Sequence, residues 1–191
     1  MALTLRERNR LAAVHHIITT AMDLFDEHGY AEVTVERIAA AAGVSPRTFY
    51  RYFGTKEGLF TTDPHTAVGG DGLKPHLDPA DLPGTMRRLV AAIAGPPPQD
   101  GVPRSEPWRG MRYVLEEPAV RAAVHAGLDE GSRRLTDLLT AAGVPPVRAR
   151  VTARAYWFGV YFGSLEQWHL DGRVRPLLSY VEEALAVLGG S

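Results

Sequence analysis

Residues 34–59, TVERIAAAAGVSPRTFYRYFGTKEGL, contain the feature that most constrains the fold: a glycine able to stop one short helix and, three residues on, a proline able to start another. Glycine enters the left-handed conformation just past a helix end without steric cost. Proline suits the first position of a helix, where its missing N–H would be unpaired anyway. Thr34 and Ser45 stand where N-caps are needed, one before each helix. Ile38, Ala39 and Ala42 supply an apolar stripe for the first, and Val44 plugs the turn. Phe49 and Phe53, four apart, point inward and turn Arg47, Thr48, Tyr50, Arg51 and Tyr52 outward or sideways. Thr55 is expected to cap a further helix with Lys56 in its first turn. A cation there opposes the helix dipole, so an anion such as a phosphate is expected nearby. Two short helices joined by a tight turn, the second exposing basic and hydroxyl side chains, present hydrogen-bond donors to a DNA groove. Three packed helices with ordinary surface charges are the alternative, but the aromatic-basic interleaving of 47–53 is hard to justify on a plain surface helix.

The rest of the chain reads as helix throughout. Residues 6–27 place Leu11, Val14, Ile18, Ala21, Met22 and Phe25 on one side at helical spacing, ending at His28-Gly29. This helix is expected to cross the two of the motif and complete a three-helix head. Residues 61–83 are rich in Gly, Pro and Asp and read as a linker. Further helices are expected at about 83–94, 108–116, 118–142, 147–170 and 176–188, separated by Gly/Pro-rich stops. There is no strand pattern.

Composition excludes more than it proves. The net charge is −1, and residues 1–56 hold seven Lys/Arg against six Asp/Glu, so DNA affinity must come from the placement of charge. The absence of cysteine excludes disulfides and thiolate zinc sites. No signal peptide is read, and the apolar run 155–163 is too short to span a bilayer, so a cytoplasmic protein without membrane contact is expected. The seven histidines show no metal-ligand spacing. Residues 68–74, VGGDGLK, lack the full phosphate-loop pattern and read as a flexible loop, and there is no Gly-x-Ser-x-Gly elbow. No enzyme, metal or cofactor is expected.

A wheel of 147–170 at 100° per residue puts Ala155, Gly159 and Gly163 on one side beside Val151, Phe158 and Phe162. Trp157, Val160, Tyr161, Ser164 and Trp168 fall on the other. Apolar character on both faces implies burial on both. The small-residue face, with Leu177, Val181, Ala184 and Leu188 of the last helix, suits a four-helix interface with a second copy; burial of both faces within one subunit is the alternative. Trp157, Tyr161 and Trp168 would then face their own subunit and, with Trp108, Met111, Tyr113 and His125, line an aromatic ligand pocket. The competing reading of these aromatics is ordinary core.

Thr34, Ile38, Ala39, Ala42-Gly43-Val44-Ser45, Thr48-Phe49-Tyr50, Tyr52-Phe53, Lys56-Glu57 and Leu59, at their spacing, resemble the DNA-binding domain of the TetR family of transcriptional regulators. The resemblance covers about the first sixty residues. It implies an all-α protein: a three-helix helix-turn-helix head (1–60) followed by a helical effector-binding and dimerisation domain (61–191). It also implies a homodimer, held through about 147–170 and 176–188, that represses from a palindromic operator until a small molecule binds. A helix-turn-helix regulator controlled by a protein partner is the alternative. Arg47 is the expected direct base contact, because guanidinium matches the O6/N7 edge of guanine, with Ser45 and Thr48 as shorter readers and Pro46 against a thymine methyl. Thr34, Tyr50, Tyr52 and Lys56 match family positions that grip phosphates, with Arg51 assisting. One departure stands out: the family's fourth helix usually runs well past the position of Leu59, whereas Asp63-Pro64 and Gly69-Gly70-Asp71-Gly72 break the pattern here.

Overall fold

The computed structural model describes residues 4–62, 77–94 and 107–189. Among them the secondary structure is helical throughout: α1 (Leu5–His28), α2 (Val35–Ala41), α3 (Pro46–Phe53), a 3-10 turn (Glu57–Phe60), α4 (Leu82–Ala94), α5 (Pro107–Glu116), α6 (Pro118–Ala141), α7 (146–170) and α8 (Leu177–Gly189). The all-α expectation is met. The linker residues 63–76, which include VGGDGLK, lie outside the described residues. Two compact units result, one of Met1–Gly72 with Pro96–Ala123 and one of Leu73–Gly95 with Val124–Ser191. This division differs from a single boundary at residue 60, because a sequence boundary cannot show that α5 packs with the head.

In the first unit, Leu11, Val14, Ile17, Ala21 and Phe25 of α1 meet Ile38 and Ala39 of α2 and Phe49 and Phe53 of α3 in one buried core. Burying such a side chain stabilises by about 1.5–3 kcal/mol, which offsets the poor intrinsic stability of helices as short as α2 and α3. A capping box of Thr4 and Glu7 starts α1. At the end of α2, Gly43 (φ +65°) lets its N–H reach the Ala40 carbonyl (3.2 Å) and the Val44 N–H reach that of Ala39 (2.9 Å). This double closure consumes two orphan carbonyls of α2. The same Ala-Ala-Gly-Val device recurs between α6 and α7: Gly143 (φ +88°) bonds to Thr140 O and Val144 to Leu139 O, both at 3.0 Å.

The second unit packs α4, the end of α6, α7 and α8. Arg87 of α4 forks onto Glu182 of α8 (2.6 and 2.7 Å), and Arg154 of α7 pairs with Asp129 of α6 (2.6 Å). Helix α7 is α-helical over Pro146–Arg154 and Ser164–Leu170 but a π-helix over Ala155–Gly163. Hydrogen bonds from i to i+5 wind the chain more loosely than 3.6 residues per turn, so an ideal wheel drifts out of register here. Phe162, expected on the small-residue side, is instead 8% exposed and sets its ring edge-on to His125 of α6 at 5.3 Å. Trp157 is buried too, with Tyr161 edge-on at 5.3 Å. Its indole lies against Gly131 of α6, where a Cβ would come within 2.9 Å of Cε2. Gly131→Val should therefore cost about 1–3 kcal/mol from overpacking, read as a lower urea midpoint at unchanged m-value.

Candidate nucleic-acid interface

The outward face of α3 is prepared by its own N-terminus. Ser45 is extended (φ −77°, ψ 151°), and its Oγ accepts the Thr48 N–H at 3.1 Å and lies 2.9 Å from Thr48 Oγ1. Pro46 occupies the first turn. Thr34 caps α2 in the same way, accepting from Arg37 N at 3.2 Å. The Thr34 and Ser45 hydroxyl oxygens thus already accept from helix ends, which leaves their O–H groups as donors with limited freedom to reorient. Phe49 and Phe53 are buried as expected, and Pro46, Arg47, Tyr50 and Arg51 are exposed. Thr48 and Tyr52 are partly covered, and the Arg51 guanidinium lies 4.9 Å from the Tyr52 ring centroid. Thr34 to Tyr52 therefore lie on one unit, with α3 offering the most exposed donors.

Lys56 has a different setting from the one its helix position suggests. Thr55 Oγ1 accepts from Gly58 N (3.1 Å) and starts the short turn, which ends at Phe60. A Cβ on Gly58 would collide with the Phe53 carbonyl, so this turn needs glycine. The Lys56 ammonium donates to the carbonyls of Tyr30 (2.9 Å) and Val33 (3.1 Å) and sits 3.9 Å from the Tyr30 ring centroid. The anionic character that draws this cation inward is the negative end of two peptide dipoles and an aromatic face. Burial lowers its pKa, against the opposing charges of Glu57 and Glu117.

Residues 107–123 supply what the sequence did not reveal. Tyr113 stands among Phe25, Tyr30 and Phe60 at centroid distances of 5.5, 6.2 and 5.9 Å. Its hydroxyl donates to Asp26 Oδ1 (2.6 Å), while Arg109 reaches Asp23 and Asp26, both at 2.7 Å. Tyr30 likewise donates to Glu57 (2.6 Å). Burial pushes the Asp26 carboxyl up, but the hydrogen bonds from Arg109 and Tyr113 outweigh it and hold the group below its ordinary value. No sequence signal marks this latch, because Arg109 and Tyr113 lie more than eighty residues beyond Asp23 and Asp26.

The residues expected to line a ligand pocket divide between the units. Met111 and Tyr113 belong to the first, where both are buried. His125, Trp157, Tyr161 and Trp168 belong to the second, where His125 meets Phe158 and Phe162, and Trp168 Nε1 donates to Arg175 O at 2.9 Å. The Trp108 side chain lies outside the described residues. Two surface grooves are evident, one lined by Leu5, Arg6, Asn9, Arg10, Ala13 and Tyr52, the other by residues of the α6–α7 turn; neither includes an expected ligand residue. No group of three metal-ligating side chains occurs among the described residues, and no described helix is long and apolar enough to cross a membrane.

With this geometry in place, comparison with known proteins is informative. Residues 17–61 match the family described as bacterial regulatory proteins, tetR family. The Mycobacterium tuberculosis transcriptional regulator MftR is 33% identical over 116 residues, which span 60% of this chain and 58% of that protein. The Streptomyces glaucescens regulator TcmR is 43% identical over 58 residues, covering 30% of this chain and 26% of the relative. The chain thus spans less than two thirds of these two relatives. Among solved structures, a Bacillus subtilis transcriptional regulator FadR in complex with stearoyl-CoA aligns over 91% of this chain and 96% of its own (TM-score 0.55, 18% identity). The fatty acid degradation regulator FadR of Bacillus halodurans aligns over 90% and 91% (TM-score 0.54, 20% identity).

The Asp26 latch gives a testable expectation. Asp26→Asn should cost about 1–3 kcal/mol by weakening two hydrogen bonds to a charged acceptor and should accelerate amide exchange in α5. Because the folded pKa is depressed, the contribution is complete above the unfolded value of about 3.9 and is lost as pH falls through the folded value. Acid melting of the wild type should therefore start in α5 below pH about 4, and the variant should lack that step.

Proposed function

The chain belongs to the TetR family of transcriptional regulators through its N-terminal domain, and on that premise we propose that it is a sequence-specific repressor, dimeric on a palindromic operator and released by a small lipophilic or aromatic effector. The observation that carries the DNA reading is the outward face of α3, where Arg47, Tyr50 and Arg51 stand exposed beside capped hydroxyls on a buried phenylalanine footing. Arg47 offers a bidentate match to guanine, with Ser45, Pro46 and Thr48 beside it. Thr34, Tyr50, Arg51 and Tyr52 hold the phosphates that set the register, with the one Lys56 N–H not given to the Tyr30 and Val33 carbonyls as a further donor.

Dimerisation through α7 and α8 is supported by apolar residues left on their surfaces: Val147 (78% exposed), Val151 (64%), Val187 (80%), Leu178 (45%) and Leu188 (42%), whereas Leu177 and Val181 of the expected stripe are buried within the subunit. Gly159 is open, with nothing within 4 Å of a built Cβ, so a second helix has room to approach closely. A two-fold dimer sets its two recognition helices about 34–36 Å apart, one DNA turn. Val151→Glu should shift the protein toward monomer in sedimentation velocity while leaving its helical content intact.

The effector reading is supported by three buried polar atoms of the second unit that have no hydrogen-bond partner among the described residues: Ser132 Oγ, Trp157 Nε1 and Ser164 Oγ. A buried donor left unpaired costs about 1–3 kcal/mol, and a lipophilic molecule carrying acceptor groups would recover part of that cost. Its binding would favour a dimer whose heads no longer match the operator, a population shift set by differential affinity. Long-chain acyl-CoA esters are a sensible first class to screen, given the stearoyl-CoA complex of a regulator sharing this fold.

Fluorescence anisotropy on DNA selected from a random library tests the division of labour. Arg47→Ala should cost about 1–3 kcal/mol on the selected site and relax one base position. Lys56→Ala should weaken all sequences alike and lower the melting temperature as well, because it also releases the Tyr30 and Val33 carbonyls. Equal losses for Arg47→Ala on matched and scrambled DNA would overturn the assignment.

A further inference from the structure

None of the six arginines of α1, α2 and α3 (Arg6, Arg8, Arg10, Arg37, Arg47 and Arg51) makes an ion pair or side-chain hydrogen bond among the described residues. Elsewhere, Arg87, Arg88, Arg109, Arg112, Arg133, Arg134, Arg154 and Arg175 each face a carboxylate. Unpaired cations on the head are not spread evenly. Arg6 and Arg10, four apart and on one face of α1, line a groove of about 490 Å³ with Leu5, Asn9 and Ala13, and Tyr52 of α3 completes it. Arg51 stacks beside that same Tyr52 ring at 4.9 Å. Glu7, the sole carboxylate among residues 4–11, is held by the capping box, accepting from Thr4 N and Thr4 Oγ1 at 2.8 Å each. One carboxylate does not neutralise the three arginines of that stretch.

We infer that this groove is a second DNA contact, which takes the sugar-phosphate backbone flanking the bases read by α3. The inference rests on the head being a DNA reader and extends its footprint. Charge complementarity selects the occupant: the floor is apolar enough to cover a deoxyribose, Asn9 and Tyr52 supply neutral donors, and Arg6 and Arg10 supply the cations that a phosphate requires. Placement agrees. Helix α3 has eight residues, about 12 Å at 1.5 Å per residue, so Tyr52 stands within one helix length of Arg47. Duplex DNA carries about one charge per 1.7 Å of axis, and several phosphates therefore pass over that distance. The groove acts without reading sequence: it adds affinity and fixes the angle at which α3 enters the major groove.

The test uses the full chain and a site selected from random duplex DNA, with affinity measured over a range of salt concentrations. Arg6→Ala/Arg10→Ala should flatten the log–log salt slope of the dimer by about 3.6, two phosphate contacts on each of two heads at about 0.9 each. At physiological salt it should weaken binding on the order of ten-fold, by the same factor on the selected site and on a single-base variant of it. Hydroxyl-radical protection should disappear beside the site while persisting within it. Arg6→Lys/Arg10→Lys should retain the slope, and Asn9→Asp, which adds a negative charge without removing an arginine, should weaken binding in the same sequence-independent way. Both arginines are exposed, so unchanged thermal melting will establish that the variants are folded. An unchanged slope and footprint in the double alanine variant, with selected and scrambled DNA still discriminated, would overturn the groove and leave the regulator intact. Failure of the wild type to discriminate the two DNAs would instead overturn the DNA-reading head on which the groove rests.

Discussion

The Lys56 ammonium is the contact on which the geometry of the head most depends. It donates to the carbonyls of Tyr30 and Val33, in the loop between α1 and α2, from a position just after α3. One side chain thereby ties both ends of the helix-turn-helix together and satisfies peptide oxygens that lie away from bulk water. Desolvated carbonyls require a partner, and a long flexible cation above an aromatic ring supplies one at little strain. The neighbouring Tyr30 hydroxyl, given to Glu57, repeats the closure with opposite polarity. Together they hold α3 against α1 without using any atom of its outward face.

From that anchor the first unit grows outward. The rings of Phe25, Tyr30, Phe60 and Tyr113 meet edge-on or tilted, with Phe25 and Phe60 stacked. Such pairs contribute about 0.5–1.5 kcal/mol each beyond their buried area. Asp26 then gathers Arg109 and Tyr113, so α5 joins the head through packing and charge at once. Carboxylates thus neutralise the supporting side of the unit, whereas the arginines of α1, α2 and α3 are left without them. This asymmetry, and not a net charge of −1, is what makes the head complementary to a polyanion.

Local chemistry explains which parts were legible beforehand. Thr34, Gly43, Ser45 and Pro46 act through bonds to residues at most five positions away, so their roles as caps and stops can be read from order alone. Helix limits followed from glycine and proline for the same reason. Lys56 was legible as an unusual cation, yet its partners lie 23 and 26 residues upstream, and a phosphate was the expected explanation. Tyr113 read as one aromatic among several; only its distant partners make it part of the head. The π-helical winding of 155–163 shifted Phe162 from the face expected to meet a second copy to the inside of its own unit, because a wheel drawn at 3.6 residues per turn has no means of including i to i+5 bonds.

The sequence by itself determined the helical class, the turn between α2 and α3 and the residues that α3 turns outward, since these follow from steric preferences and hydrogen bonds within one or two turns. Tertiary structure decided where the cations are used, which helix completes the head, and which aromatics of α7 are buried. Those outcomes depend on desolvation and packing between segments far apart in the chain, and such energies exist only once the segments have met.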